Sequence, residues 1–295
     1  MYLKSYIRGF FIFSMLINPV DLLLWTFRRN ENDVVKLYDA LSPIMEVSTG
    51  GDMLNFGFWD ETTLHPVDAQ KRLCEMMGDM AQISSAEIIA DIGSGILGPA
   101  KIWNSQYPSL QISSVNVNFS QLASVEPSNI SKLNSTARML RFSNSSLDRV
   151  IALESAQHFK PIGDFFSESN RVLKDDGILA LAIPTATENS NLSNLGILKF
   201  TWSSEHYSQE NVTNEISKNG FEIIESSDIG KNIYSPLAEY YLNNRDELQK
   251  KILSRYSKYV EKILFESMKK MQSASEKGLI GYSMLKCKKL ALDSR

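Results

Sequence analysis

Asp91-Ile-Gly-Ser-Gly-Ile-Leu-Gly-Pro-Ala100 is the stretch that decides the fold of this chain. The apolar run Ile88-Ile89-Ala90 ahead of it reads as a buried strand. Gly93, Gly95 and Gly98 then form a turn, and Pro99 to Trp103 reads as the first turn of a helix. Strand, glycine turn and helix together make a nucleotide-binding corner. The glycines let the backbone approach a ligand closely, and the helix start offers unpaired N–H groups and a positive dipole end.

Two nucleotides compete for that corner. The glycines satisfy G-x-G-x-x-G, the dinucleotide pattern. That reading also asks for an Asp or Glu at the end of the next strand, to hold a ribose. The next strand, residues 112–117, ends among Asn116 and Asn118 and carries no carboxylate. A dinucleotide oxidoreductase is therefore the weakest of the readings.

More residues fit the other nucleotide. Asp91, Gly93, Gly95, Gly98, Pro99 and Ala100 match D-x-G-x-G-x-G-G-P-A, and the corner resembles the first motif of class I S-adenosylmethionine-dependent methyltransferases of the small-molecule subset. Leu97 departs from a glycine there, and its side chain is expected to narrow the approach to the amino-acid end of the cofactor. The resemblance runs from about Val34 to Lys289. Tyr38-Asp39, Gly50-Gly51 and Leu54-Asn-Phe-Gly-Phe-Trp59 resemble the opening segment of sugar, polyketide and lipid methyltransferases. Val115 to Leu122 is similar to the second strand and its exit, and Leu147 to Phe159 to the fourth strand with its E-S-x-x-H-F end. Asn116 stands in the ribose position and Thr136-Ala137 at the adenine edge, both without the usual acid. An amide can still bond two hydroxyls, without charge assistance.

The resemblance implies an α/β fold: a doubly wound, seven-stranded, mostly parallel sheet with helical cap elements. It implies S-adenosylmethionine held by Tyr38, Trp59, Asp91, Gly93, Ser94, Gly95, Asn116, Val117, Gln121, Thr136, Ala137 and Leu153. It places Phe56, His206 and Tyr234 toward the acceptor, and His158 and Glu154 at the chemistry.

The chain has 295 residues, enough to bury a full core. A net charge of −3 gives no reason to expect nucleic acid. Two distant cysteines, Cys74 and Cys287, form no disulfide or zinc pattern, and three histidines without H-x-x-x-H spacing point to no metal. The expected compartment is the cytoplasm. Residues 1–33 read as an apolar helical arm, with apolar runs at 10–17 and 22–27 split by Asn18-Pro-Val-Asp21. Each run is too short to span a bilayer. Packing on the domain, an interface with a second copy, peripheral membrane contact and a lid for a greasy substrate all stay open for it.

Residues 34–295 read as the methyltransferase domain. Helices are expected over Val34–Met45, Pro66–Met80 and Glu210–Asn219, with a long helical insertion inside about 231–278 as a substrate cap. In that insertion Ile252, Tyr256, Tyr259, Ile263 and Met268 form the expected apolar face, and its lysines a solvated one. Between Gln121 and Thr136 there is little room for a full helix, and Pro127-Ser-Asn129 favours a loop.

Methyl transfer from a sulfonium asks a protein mainly to align nucleophile, methyl carbon and sulfur. A hydroxyl acceptor gains from a base near neutral pH, and His158 stands after a strand whose carboxyl end faces the ligand crevice. The expected reaction is methyl transfer to a small, apolar acceptor, first to oxygen. Transfer to an isoprenoid or quinone-like carbon, and a non-catalytic methyltransferase-fold module, remain as alternatives.

Overall fold

In the computed structural model residues 30–51, 53–187 and 192–290 are described. The apolar runs of the N-terminal arm lie outside them. Among the described residues no helix is long and apolar enough to cross a membrane.

Helix α1 (Glu31–Thr49) starts where the Asn30 side chain accepts from the Asp33 N–H at 3.2 Å, and stops at Gly50, whose φ of +79° ends the helix. It extends past the expected Val34–Met45 at both ends, because caps rather than apolar period set its limits. Helix α2 (Pro66–Met80) runs as read, with proline in its first turn and Leu73 and Met77 fully buried.

The alternating region follows: β1 (Ile88–Ile92), α3 (Gly98–Gln106), β2 (Gln111–Asn116), α4 (Phe119–Ser124), β3 (Ser131–Asn134), β4 (Leu147–Leu153), α5 (Ile162–Val172) and β5 (Leu173–Ala186). Helix α4 has only 6 residues, capped by Asn118 and finished at Val125 before Pro127, so this crossover is as short as expected. A short helix α6 (Leu198–Thr201) precedes α7 (Gln209–Lys218) and β6 (Phe221–Asp228). Between β6 and β7 (Ile280–Lys289) stand three helices, α8 (Tyr234–Asn243), α9 (Arg245–Leu253) and α10 (Lys258–Glu276).

The seven strands form one sheet in the order β3-β2-β1-β4-β5-β7-β6. The first five are parallel, and β7 runs antiparallel between β5 and β6. Both faces are covered, so successive strand residues enter opposite cores. Along β4, Val150 and Ala152 join the core under α5 and α7, with Phe165, Phe166, Val212 and Ile216. Ile151 and Leu153 join the other core, with Leu73 and Met77 of α2, Trp103 of α3 and Leu264 of α10. This is the doubly wound arrangement, and it leaves the carboxyl ends of β1, β2 and β4 side by side.

The late helical region is not continuous. Asn244 turns its side-chain amide onto the Tyr240 carbonyl at 2.8 Å, and the chain leaves the helix again after Leu253. The breaks shift the helical phase. Ile252 and Met268 are buried as expected, whereas Tyr259 is 45% exposed.

Candidate active site

Asp91 lies one residue from the end of β1, deeply buried, with Oδ2 accepting from no group among the described residues. Burial pushes its carboxyl up to about 7. The chain then turns. The N–H groups of Gly93 and Ser94 both donate to the Val115 carbonyl of β2, at 2.8 and 3.1 Å. The glycines do different work. A Cβ on Gly93 would collide with the Cβ of Ser155, so the turn that follows β4 packs directly on that backbone. A Cβ on Gly95 would meet nothing nearer than Leu54 at 3.8 Å, since Gly95 bares its backbone to a cavity. Both hold positive φ, +77° and +55°.

Leu97 overturns its expectation. At φ +67° it sits where a glycine would be relaxed, yet its side chain is fully buried in the core and does not line the cavity. It leaves the amino-acid end of the site open.

That cavity, of about 800 Å³, is walled by the turn, by the ends of β2 and β4, and by α1. Asn116 is strapped to the protein. Its Nδ2 donates to the Gly95 carbonyl at 3.0 Å and to Gln121 Oε1 at 2.9 Å, while its Oδ1 accepts from the Asn118 N–H. Only the oxygen keeps acceptor capacity for a ligand hydroxyl. Gln121 and Asn118 in turn reach α1, Gln121 donating to Ser42 Oγ at 3.1 Å and Asn118 to Asp39 Oδ1 at 2.8 Å.

A second cavity, of about 1170 Å³, meets the first at Tyr38, Leu54, Glu154 and His158. Its walls are Leu37, Leu41, Ile44 and Met45 of α1, Phe56, Phe200 and Trp202, and Val260, Ile263, Leu264, Met268 and Met271 of α10. His158 stands at the junction, on the turn after β4. Its Nε2 lies 2.8 Å from the Tyr38 hydroxyl and its Nδ1 2.6 Å from Ser204 Oγ. Glu154, at φ +50°, accepts the Phe56 N–H on both carboxylate oxygens at 3.0 Å and the Tyr282 hydroxyl at 2.8 Å. Burial raises its carboxyl to about 8 against those hydrogen bonds. It therefore pins the Leu54–Phe58 loop to the sheet while facing both cavities.

A family model described as a methyltransferase domain matches residues 90–181. Erythromycin 3''-O-methyltransferase of Saccharopolyspora erythraea is 27% identical over 282 residues, covering 88% of each chain. The 27-O-demethylrifamycin SV methyltransferase of Amycolatopsis mediterranei is 26% identical over 159 residues, 51% of this chain and 57% of the relative. Among solved structures, the cyclopropane synthase MmaA2 of Mycobacterium tuberculosis superposes with a TM-score of 0.72 at 16% identity, over 85% of this chain and 95% of that one. The protein is an S-adenosylmethionine-dependent methyltransferase, similar to class I enzymes of the small-molecule type.

The residues present fit S-adenosylmethionine. An orphaned buried carboxylate at Asp91, and a Ser94 Oγ that is likewise buried without a partner among the described residues, suit the α-amino-acid end of the cofactor. The bare backbone at Gly95 allows close approach, and Asn116 Oδ1 lies where hydroxyls can reach it. Of the residues that the methyltransferase pattern nominates, Tyr38, Asp91, Gly93, Ser94, Gly95, Asn116, Val117, Gln121 and Leu153 line the first cavity. Ala137 lines a smaller side cavity that opens from it, and Phe56 lines the second.

Four nominated residues stand elsewhere. Trp59 is buried against Tyr240, with Nε1 donating to the Phe56 carbonyl, because the Gly57 turn sends the chain away from the cavities. Tyr234 is fully buried behind Phe56 and Trp202, its hydroxyl on the Gly281 carbonyl at 3.0 Å. His206 packs on Trp202 and lines neither large cavity. Thr136 gives its hydroxyl to Glu31 rather than to a cavity.

Ser204 and the inner faces of α1 had escaped notice in the sequence. The signal was there: Glu31, Val34 and Tyr38 fall at helical spacing on one face, and Leu37, Leu41 and Ile44 on the adjacent one.

Proposed function

We propose that this methyltransferase transfers the methyl group to a hydroxyl oxygen of a bulky, neutral, apolar acceptor, with His158 receiving the hydroxyl proton. The observation that carries the reading is the second cavity. It is large and apolar, it joins the first at His158, and no lysine or arginine stands among its described lining residues. A phosphorylated or carboxylated acceptor would bring an anion there without a cationic partner, at a cost of several kcal/mol. Two relatives take their names from erythromycin and 27-O-demethylrifamycin SV, which supports a bulky alcohol.

S-adenosylmethionine, when bound, supplies an already activated methyl on a sulfonium. The chain's task is then alignment and proton removal. Tyr38, Leu54, Glu154 and His158 border both cavities, so the methyl and the nucleophile meet among them. In the tautomer with its proton on Nδ1, His158 donates to Ser204 Oγ and leaves Nε2 as an acceptor. An acceptor hydroxyl beside Tyr38 then gives its proton to Nε2, directly or through the Tyr38 hydroxyl.

The test is a panel of hydroxylated polyketides, glycosides and sterols, assayed with isotopically labelled cofactor and mass spectrometry. His158→Ala should lower turnover by about 10²–10⁴-fold. Unchanged turnover, or a label found on carbon, would overturn the reading. Tyr38→Phe separates the two proton routes: a relay loses most of the rate, whereas direct transfer keeps it.

A further inference from the structure

We propose that Glu31, in the first turn of α1, is the carboxylate that receives the exocyclic amine of the cofactor's adenine. The adenine site is then completed by a helix outside the sheet and not by the sheet's own ends. This rests on S-adenosylmethionine as cofactor and is independent of the acceptor reading.

The argument begins with a side cavity of about 380 Å³, which shares Val34, Gly93, Asn116, Val117, His158 and Phe159 with the main cavity. Its own walls are mostly apolar, including Ile92, Val115 and Ala137. Adenine is the part of the cofactor with two broad apolar faces, so it matches such a slot. The other parts have stronger claims elsewhere: the ammonium at Asp91, the methyl at the Tyr38–His158 junction and the hydroxyls at Asn116. An adenine edge also needs an acceptor for its amine. The sheet supplies no carboxylate there, since β3 is followed by Ser135, Thr136 and Ala137.

Glu31 lines the same side cavity. Its Oε1 accepts the Thr136 hydroxyl and lies 3.4 Å from Arg138 Nε, which aims the carboxylate at the sheet edge. Its Oε2 accepts from no described residue. Thr136 thus serves to position Glu31. Two turns further along α1, Tyr38 stands between the two large cavities. Docking of one helix therefore completes the adenine slot and the reaction junction together.

The experiment measures calorimetric affinities for S-adenosylhomocysteine and for S-inosylhomocysteine, which carries a 6-oxo group in place of the amine. The wild type should prefer the adenosyl ligand by about 10-fold or more, the worth of one charge-assisted hydrogen bond. Glu31→Gln should weaken the adenosyl ligand by roughly 5–10-fold and strengthen the inosyl one, because an amide can donate to the 6-oxo group. Glu31→Ala should lose the preference without that gain. Equal weakening of both ligands would show that Glu31 merely supports the helix start, and would overturn the proposal. Unchanged affinities would also overturn it. Wild-type protein that binds neither ligand would instead remove the cofactor assignment on which the proposal stands. Glu31 is partly exposed, so both variants should fold, as circular dichroism would verify.

Discussion

At the scale of single residues, Asp91 shows how burial turns a carboxyl into a ligand sensor. With Oδ2 unpartnered among the described residues and a pKa of about 7, it is half protonated near neutral pH in the ligand-free protein. A ligand ammonium favours the ionised form, so below pH 7 binding must expel a proton. Affinity for S-adenosylhomocysteine should therefore fall as pH drops from 7.5 to 5.5, by up to about 10-fold per unit. Calorimetry in buffers of different ionisation enthalpy should register the released proton. Asp91→Asn should bind more weakly and without that pH slope. A flat wild-type profile would mean that Asp91 is not the cation's partner. Asp91 was legible from the sequence because it precedes the first glycine of the turn. The loss of carboxylates at Asn116 and Thr136 was also legible, and so was the helical face that Glu31 shares with Val34 and Tyr38. The meeting of Glu31 with Thr136 was not, because the two lie more than a hundred residues apart along the chain.

At the scale of the element, the 93–98 turn carries two kinds of glycine. Gly93→Ala would put a methyl into Ser155 at φ +77°, and should destabilise the protein by about 3 kcal/mol or more, measured by denaturant unfolding. Gly95→Ala meets only open cavity. It should cost about 1–2 kcal/mol of backbone strain and still fold, while losing most cofactor affinity. If Gly95→Ala binds cofactor normally, the cavity assignment is wrong. Leu97 weighs two opposed effects. The left-handed backbone costs a leucine about 1–2 kcal/mol, and full burial of its side chain returns about 2–3 kcal/mol. Burial wins, and the cavity left by truncation adds to the loss, so Leu97→Gly should destabilise by about 1–3 kcal/mol with cofactor affinity unchanged. The late region read as helical is helical, but it is broken into three helices for a local reason. Asn244 forms a side-chain bond to its own backbone neighbourhood, and an apolar period cannot register such a break.

For the whole molecule, the buried acids set the pH range of stability. Asp91 at about 7 and Glu154 at about 8 are raised by burial, so their favourable contribution is full below about pH 4 and is lost as pH rises through 7 and 8. Glu168 runs the other way. Hydrogen bonds from Arg171 hold it below the usual carboxylate range, and that stabilisation is lost as pH falls through its folded value. The ligand-free protein should therefore be most heat-stable in acidic buffer, about pH 4–5, with Tm falling toward pH 9. Glu154→Gln should flatten the alkaline arm, and S-adenosylhomocysteine should raise Tm most above pH 7, where Asp91 is ionised. A Tm that keeps rising to pH 9 would contradict the burial of these carboxyls.

The sequence by itself determined the strand at Ile88-Ile89-Ala90, the alternation of strands and helices after it and the cofactor corner, while the seven-stranded sheet was implied by the family resemblance and its strand order came from the structure. The first three rest on short-range physics: apolar runs of strand length, proline and glycine at turns, and caps within four residues of the helix ends they stop. It also determined that His158 and Asp91 stand at the carboxyl ends of strands, where this fold opens its crevice. Only the tertiary structure decided which face of α1 closes which cavity, that Ser204 reaches His158, that His206 lines neither large cavity, and that Trp59 and Tyr234 support the walls without lining them. A helical period reveals that a face is apolar. What that face meets is fixed by contacts between residues distant in the chain, and no spacing along the chain encodes them.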